Sequence, residues 1–568
     1  MTAFDTIIVG GGTAGSVLAN RLSARSSNRV LLCEAGVDTP VGGVPAPILD
    51  GFPGTAFLNP DFLWTDLAVT TEVIPHNDPG HRPRLRRYEQ ARVLGGGSSI
   101  NGQLANRGSP SDYDEWEARG ARGWTWESVL PYFRKIERDL DFDGPYHGKD
   151  GPIPVRRLPP DLWTAHSKAL AEGLTQLGFE YVADQNGEFK LGWYPLVVTN
   201  VDDKRVSAAM AYLDPAIRRR SNLEILTRTP VQRLLFDGRR CVGVAASVDG
   251  VPREFRAGEV ILSCGAIHSP AHLLRAGIGP AAQLRDVGIP VLAHLEGVGR
   301  RLMDHPSIAL ASFIRKPGRM DGRTRRHSYI GVRFSSGLAG APAGDMAVSI
   351  QSKSAWHAVG ERIGTVSVWV NKTYSEAGEV KLQSADWRDE PMVNFNLLSD
   401  RRDLERLMTG FRRLGALYRL PVVQNLISDP FPASYGDKVR QVSAMTRRNR
   451  FLTGVFAHLL DGPASLRAAL LRRFVIDGPS FETAMENDDA LEAFIRTQAV
   501  GVWHASCSCR MGADGDPLAV TGSSGRVRQV EGLRVVDASI FPVIPCANVN
   551  FPTLMLAEKI ADSILAGE

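Results

Sequence analysis

Thr6-Ile7-Ile8-Val9-Gly10-Gly11-Gly12-Thr13-Ala14-Gly15 is the stretch that decides the fold. Its first four residues are apolar or β-branched and end on glycine, the pattern of a strand buried on both faces of a parallel sheet. Residues 16–25 then carry helical spacing, with Val17, Leu18 and Leu22 on one face. Residues 29–33 read as a second buried strand that ends at Glu34. Strand, glycine turn, helix and strand form one βαβ unit. Within it, Gly10-x-Gly12-x-x-Gly15 permits a tight turn and lets backbone N–H groups approach a pyrophosphate at a helix N-terminus. Glu34 accepts hydrogen bonds from ribose hydroxyls. This predicts a dinucleotide site and leaves NAD and FAD both open.

Further apolar strands read over 231–236, 241–248, 259–263 and 533–537. A closing helix reads over 553–566, striped by Leu554, Leu556, Ile560 and Ile564. Between them lie a Pro- and Gly-rich excursion over 40–83 and a long mixed stretch from about 306 to 489. The chain has 568 residues, 43% hydrophobic and 23% charged, which excludes a disordered protein and is ample for a large core. A net charge of +4 is too small at this length to argue for nucleic acid. No apolar run is long enough to span a membrane, and Met1 to Asp5 lack the basic region of a signal peptide. Six cysteines are too few for a disulfide framework. A soluble, cytoplasmic protein follows as the expectation, with oligomeric state left open. Cys507-x-Cys509, with Cys546 nearby, lacks the spacing of paired zinc ligands, so buried thiols and no metal are expected. Residues 447–476 mix Arg447, Arg448, Arg450, Arg467, Arg472 and Arg473 with apolar side chains. They read as packing helices or an active-site cover with arginines in solvent; a membrane surface is the alternative.

A second glycine motif separates the cofactors. Arg92-Val93-Leu94-Gly95-Gly96-Gly97-Ser98-Ser99-Ile100-Asn101, continuing to Asp114, resembles the first signature of the glucose–methanol–choline (GMC) flavoprotein oxidoreductases. Gly265 to Gly279 resembles the second, departing from it at His272 and Ala276. Trp503-His504-Ala505-Ser506-Cys507-Ser508-Cys509-Arg510-Met511-Gly512 resembles the family's catalytic-histidine segment. Asp537 to Pro542 and Asn548-Val549-Asn550-Phe551-Pro552-Thr553 resemble its closing blocks, so the likeness spans the chain.

That resemblance implies an α/β protein, α+β overall. A Rossmann-like FAD lobe (1–155, 206–305 and 495–568) would interleave with a substrate lobe of antiparallel sheet plus helices (156–205 and 306–494). It implies a flavin site drawn from Gly10, Gly12, Thr13, Ala14, Gly15, Glu34 and Ala35, from Trp64, Arg92, Val93, Gly96, Gly97, Ser98, Asn101 and Gly102, and from Val231, Asp537, Ala538, Asn550, Pro552 and Thr553. Ile100 stands where some members attach flavin through histidine, so FAD is expected to be non-covalent. The Asp304-His305 pair is expected to serve packing rather than catalysis.

Oxidising an alcohol removes a proton from oxygen and a hydride from carbon. A neutral imidazole, with an ordinary pKa of about 6.5, takes the proton, and an amide orients the substrate oxygen. His504 is thus expected as base and Asn548 as orienting donor, with Trp503 and Trp369 in the substrate pocket. The pairing resembles the branch of the family that oxidises primary benzylic and furanic alcohols with O2 as acceptor. The alternatives are a choline-type dehydrogenase passing electrons to a quinone or a protein, and a non-redox lyase retaining FAD. A choline site would need an aromatic cage, for which Trp369, Tyr374, Phe334 and Trp356 are the candidates.

Overall fold

Residues 3–73 and 82–567 are described by a computed structural model. Residues 1–2, 568 and 74–81, the last within the excursion read over 40–83, lie outside the described residues. The first sheet is built from runs that meet no solvent. Ile7, Ile8, Leu31, Leu32, Val260 and Ile261 expose no surface. In space, Leu223–Leu226, Val30–Cys33, Ala3–Val9, the second half of Val251–Leu262, and Leu533–Val535 follow one another, all parallel. The first half of Val251–Leu262 turns back in antiparallel pairing with Arg240–Val248, which pairs with Val231–Asp237.

Helix Thr13–Ser23 crosses over this sheet, and the closing helix Asn550–Ala566 packs on it. Arg21 joins the two through Glu558 and Asp562. Both helices begin earlier than their hydrophobic stripes indicate. The first starts inside the glycine motif. The last contains Pro552 in its opening turn, where a missing N–H costs nothing. The strand at 533 ends at Val535 because Asp537 caps the short turn Ala538–Ile540, its Oδ1 accepting from Ser539 N at 2.8 Å.

The second large sheet is antiparallel. Its order is Ile427–Ala433, Pro306–Ile314, Ile363–Val370, Met346–Gln351, Ser328–Phe334 and Gly192–Pro195. Successive side chains alternate between its faces. Ile308, Leu310, Val348, Ile350, Val366 and Val368 belong to the core that includes Leu404, Leu407, Phe411 and Leu414 of helix Arg401–Gly415. Ala309, Ala311, Ser349, Gln351, Thr365, Ser367 and Trp369 face the opposite way, into a cavity between the sheets. The two lobes exchange strands at their border. Val500–Gly501 pairs with Pro306–Ile314, while Ala68–Thr70 and Arg86–Arg87 join a sheet with Arg300–Leu302, Gly378–Lys381 and Met392–Asn394.

The Arg-rich segment forms helices Arg447–Leu460 and Ala464–Phe474, seated through Ala457, Leu460 and Leu471 on Phe313, Ile363 and Phe431. Arg447, Arg448, Arg450, Arg472 and Arg473 stand in solvent as expected, Arg467 is buried beside Asp429, and Phe451, Leu452, Val455 and Leu459 stand in solvent as well. No helix of the described residues is long and apolar enough to cross a membrane. All six cysteines are free, and burial pushes the Cys507 thiol up to about 12.

A buried ionic cluster joins the end of helix Trp126–Ile136 to the segment around residue 184. Arg107 Nη2 lies 2.5 Å from Glu137. Arg157 reaches Asp139 at 2.6 Å and Asp184 at 3.1 Å, and His147 Nε2 is 2.8 Å from Asp184. Three carboxylates meet two guanidiniums, so the charges balance only with His147 protonated. Burial lowers the proton affinity of His147, but hydrogen bonds to Asp139, Asp184 and Glu137 overcome this and raise its pKa to about 10. A pKa raised above its unfolded value contributes stability that is complete below about pH 6.5 and lost as pH rises through about 10. Tm should therefore fall between pH 7 and pH 10. His147→Gln should flatten that fall and cost about 3 kcal/mol at pH 7, because it leaves buried carboxylates without their cation. Urea denaturation at the two pH values measures both effects.

Candidate active site

The cavity between the sheets measures about 750 Å³, within the range of small-molecule sites. Its floor is two glycine turns in backbone contact. Gly95 N donates to Gly11 O at 2.7 Å. A Cβ on Gly96, whose φ is +54°, would stand 2.7 Å from Gly12 Cα. A Cβ on Gly15 would meet Gly10 O at 2.0 Å, so that glycine serves helix–strand packing. Gly12 is different. A Cβ there would come no closer than 3.7 Å to protein and would project into the cavity. The N-terminus of helix Thr13–Ser23 opens beside it with no side-chain cap, leaving amides for an anion. Glu34 accepts from Gly11 N at 2.8 Å and Gly36 N at 2.7 Å, and each oxygen keeps a lone pair for a ribose hydroxyl. These features fit a dinucleotide.

Most of the flavin-site residues expected from the sequence line this cavity: Gly10, Gly12, Thr13, Ala14, Glu34, Ala35, Trp64, Val93, Gly96, Gly97, Asn101, Gly102, Val231, Asp537, Ala538, Asn550 and Thr553. Gly15, Arg92, Ser98 and Pro552 are not among its lining residues. The Arg92 guanidinium lies over the Trp64 ring at 4.6 Å. Ser98 Oγ donates to Gly95 O at 2.5 Å and accepts from Ala208 N at 2.9 Å, bracing the loop from behind. Pro552 is buried in the closing helix. Asn550 Oδ1 accepts from Thr13 Oγ1 at 2.8 Å, tying that helix to the first glycine turn. Ile100 lines the cavity.

His504 and Asn548 come together at the other end, with Asn548 Nδ2 3.0 Å from His504 Nε2. The sequence reading missed what lies behind them. His305 Nδ1 is 2.9 Å from His504 Nδ1, and His305 Nε2 is 3.2 Å from Pro545 O. Burial pushes His305 down to about 3, so it carries one proton. A carbonyl only accepts, which places that proton on Nε2. His305 Nδ1 then accepts, His504 Nδ1 donates, and the lone pair of His504 is on Nε2, toward Asn548 and the cavity. Asp304 Oδ1 fixes both rings by accepting from His504 N at 3.0 Å and His305 N at 2.8 Å. His305 is thus a positioning residue rather than packing alone. The adjacent Asp-His pair was visible in the sequence, but nothing there placed it behind His504. Burial, and secondarily His305, push the His504 pKa well below the ordinary 6.5 expected from sequence.

Trp503 lines the cavity beside His504 with φ +60°, a left-handed conformation rare for a bulky residue. Its Nε1 donates to Glu89 Oε2 at 3.0 Å, and Phe57 and Tyr435 meet its ring edge-on. Of the four aromatics considered for a cation cage, Trp369 alone lines the cavity. Phe334 belongs to the core behind the sheet, Tyr374 is covered by Arg402 and Arg406, and Trp356 donates to Ser443 O.

A nucleotide cradle at one end of a cavity and a histidine–asparagine pair at the other define a flavin-dependent alcohol oxidoreductase. The chain belongs to the GMC oxidoreductases. The family's N-terminal model matches residues 4–307 and its C-terminal model residues 373–557. FAD is the cofactor of this family. The chain is 43% identical to a 5-(hydroxymethyl)furfural oxidase of Methylovorus sp., covering 99% of each. It is 31% identical to an oxygen-dependent choline dehydrogenase of Vibrio vulnificus, covering 99% of this chain and 94% of that one. Among solved structures, pyridoxine 4-oxidase from Mesorbium loti superposes with a TM-score of 0.79 at 26% identity over 99% of both chains. A fungal aryl-alcohol oxidase shares the fold, with a TM-score of 0.73 at 21% identity over 99% of both chains.

Two outcomes are expected here. Gly12→Ala should fold, since a Cβ there comes no closer than 3.7 Å to protein, yet be purified with less FAD, as read from the ratio of flavin to protein absorbance. His305→Phe should retain FAD but slow anaerobic flavin reduction by alcohol about 10–100-fold, the usual cost of removing a group that orients a functional imidazole. His305→Asn, which restores an acceptor, should recover part of that loss.

Proposed function

We propose that the protein oxidises primary aryl and furanic alcohols to aldehydes and passes the electrons to O2: RCH2OH + O2 → RCHO + H2O2. The observation that carries this reading is the Nε2 lone pair of His504, 3.0 Å from the Asn548 amide in a cavity walled by Trp503 and Trp369. Flat indole surfaces suit an aromatic alcohol. The particular cage drawn from Trp369, Tyr374, Phe334 and Trp356 does not form, and the aromatic cluster at the cavity wall is Trp503 with Phe57 and Tyr435. The full-length likeness to a furfural oxidase points the same way.

The alcohol hydroxyl would donate to His504 Nε2 in place of the Asn548 Nδ2–H, and Asn548 would turn its amide onto the substrate oxygen. As the carbinol C–H bond breaks, His504 takes the hydroxyl proton at Nε2 and keeps its Nδ1–H on His305. FAD, when bound, supplies the hydride acceptor. Gly10, Gly12, Gly96 and Gly97, with Thr13, Asn101, Asp537 and Asn550, would hold its nucleotide and ring system. Ile100 offers no nucleophile, so the flavin would be non-covalent, and acid precipitation should release it into the supernatant.

His504→Ala should slow anaerobic flavin reduction about 10²–10⁴-fold, the worth of a positioned base. Asn548→Ala should cost less, because the base remains. The depressed His504 pKa sets the pH dependence. The imidazole is in its base form above that pKa, so the rate of flavin reduction should hold as pH falls from 8 to about 6. An exposed histidine would already be half-protonated near 6.5. Stopped-flow reduction over a panel of benzyl, furfuryl and choline substrates, followed by peroxide detection in air, tests the whole reading. Rapid bleaching by choline alone, or bleaching without peroxide, would overturn it.

A further inference from the structure

We propose that the helical hairpin Arg447–Leu460 and Ala464–Phe474 is a docking surface for an anionic lipid bilayer, and that it sets the mouth of the active-site cavity against that surface. Its amphipathicity is inverted. Thr453, Ala457 and Leu460 face the protein, while Phe451, Leu452, Val455 and Leu459 form a stripe on the opposite side. Phe451 is 70% exposed, and Phe474 of the second helix is 55% exposed. Eight of the seventeen large hydrophobic residues exposed among the described residues lie between Val442 and Phe474. So dense an outward apolar set marks a contact surface rather than ordinary scatter.

Charge selects the partner. Arg447, Arg448, Arg450, Arg472 and Arg473 are exposed around the stripe. Between residues 441 and 476 the one acidic side chain is Asp461, and it is held by Arg319 at 2.5 Å and Arg362 at 3.1 Å. A second copy docked through this patch would set arginines against their own copies with no carboxylate between them, because a two-fold interface meets itself. An apolar stripe ringed by unneutralised arginines instead matches a bilayer interface, where side chains enter the acyl boundary and guanidiniums meet phosphate headgroups. The place in the fold fits as well. Val439 and Ser443, before the first helix, and Val475, after the second, line the cavity itself. Docking the hairpin would bring the entrance to a surface where apolar alcohols concentrate. This inference stands apart from the identity of the preferred substrate.

The test is co-sedimentation of the FAD-loaded protein with phosphatidylcholine vesicles and with mixed phosphatidylcholine/phosphatidylglycerol vesicles, at low and high salt. The protein should pellet with the anionic vesicles at low salt and be released by high salt. Arg447→Gln/Arg448→Gln should weaken partitioning roughly tenfold or more, each arginine contributing about a fivefold share. Phe451→Ser should weaken it without removing charge. Both variants should oxidise a water-soluble alcohol at the parental rate without vesicles, which separates lost docking from lost folding. Equal behaviour toward neutral and anionic vesicles, no pelleting with either, or variants that pellet like the parent would overturn the proposal. Sedimentation as a dimer that Leu452→Ser dissociates would also overturn it, and would assign the stripe to a second copy.

Discussion

Everything at the active site depends on two backbones lying against each other with no side chain between them. The turn at Gly10–Gly15 and the turn at Gly95–Gly97 are far apart in sequence, yet Gly95 N bonds to Gly11 O and Gly96 touches Gly12. Three of these glycines are required by backbone atoms: Gly10 by Ser263 O, Gly15 by Gly10 O, and Gly96 by Gly12. Gly12 is required only by whatever occupies the cavity. The first three let the floor form, and the fourth leaves room above it. Helix Asn550–Ala566 then has one available seat, on helix Thr13–Ser23, with Asn550 on Thr13. That seat carries Asn548 to the far end of the cavity.

The roof obeys a different constraint. A sheet with one face in a core and the other over a ligand must divide its residues by parity. Strands Pro306–Ile314, Met346–Gln351 and Ile363–Val370 do so, with Ile, Leu and Val largely on even positions and Ala, Ser, Thr and Gln largely on odd ones. Small side chains on the cavity face leave space for ligand, and Trp369, Ile363 and the edge strand's Phe431 are larger groups placed there. Hydroxyls and the Gln351 amide can stay near the cavity without the penalty of an unpaired polar group in a core.

The sequence was most legible where backbone chemistry was at stake. The βαβ unit, the glycine turns and Glu34 are local, and each is required within a few residues of the next. His504 and Asn548 were also readable, because each lies in a compact block. Other features were not local. Arg92 and Ser98 sit in the right loop, but which way a side chain leaves a loop depends on Trp64 and Ala208, contacts that no spacing encodes. His305 lies some two hundred residues before His504, and the strand register alone places it behind that ring. The 447–476 segment showed its composition but not its orientation. Helical periodicity fixes which residues share a face, not whether that face turns inward.

A neutral imidazole behind His504 bears on the proton transfer proposed for it. A carboxylate hydrogen-bonded to His504 Nδ1 would raise its pKa and hold it protonated for longer at neutral pH. His305 makes no such demand, so burial dominates and the base waits in its neutral form. A proton taken up from an alcohol would then create an imidazolium in a site that disfavours it. Asp304 is the group placed to offset this, with a carboxylate oxygen within 4.8 Å of the ring nitrogens of both histidines. Burial pushes its carboxyl up to about 7 against the backbone amides that bond it, so near neutral pH it exchanges a proton at little cost. Where Asp304 is already ionised, its carboxylate would balance an imidazolium at His504. Asp304 also accepts from the backbone N–H groups of His305 and His504, so the side chain that could offset an imidazolium also holds the backbone from which both rings project.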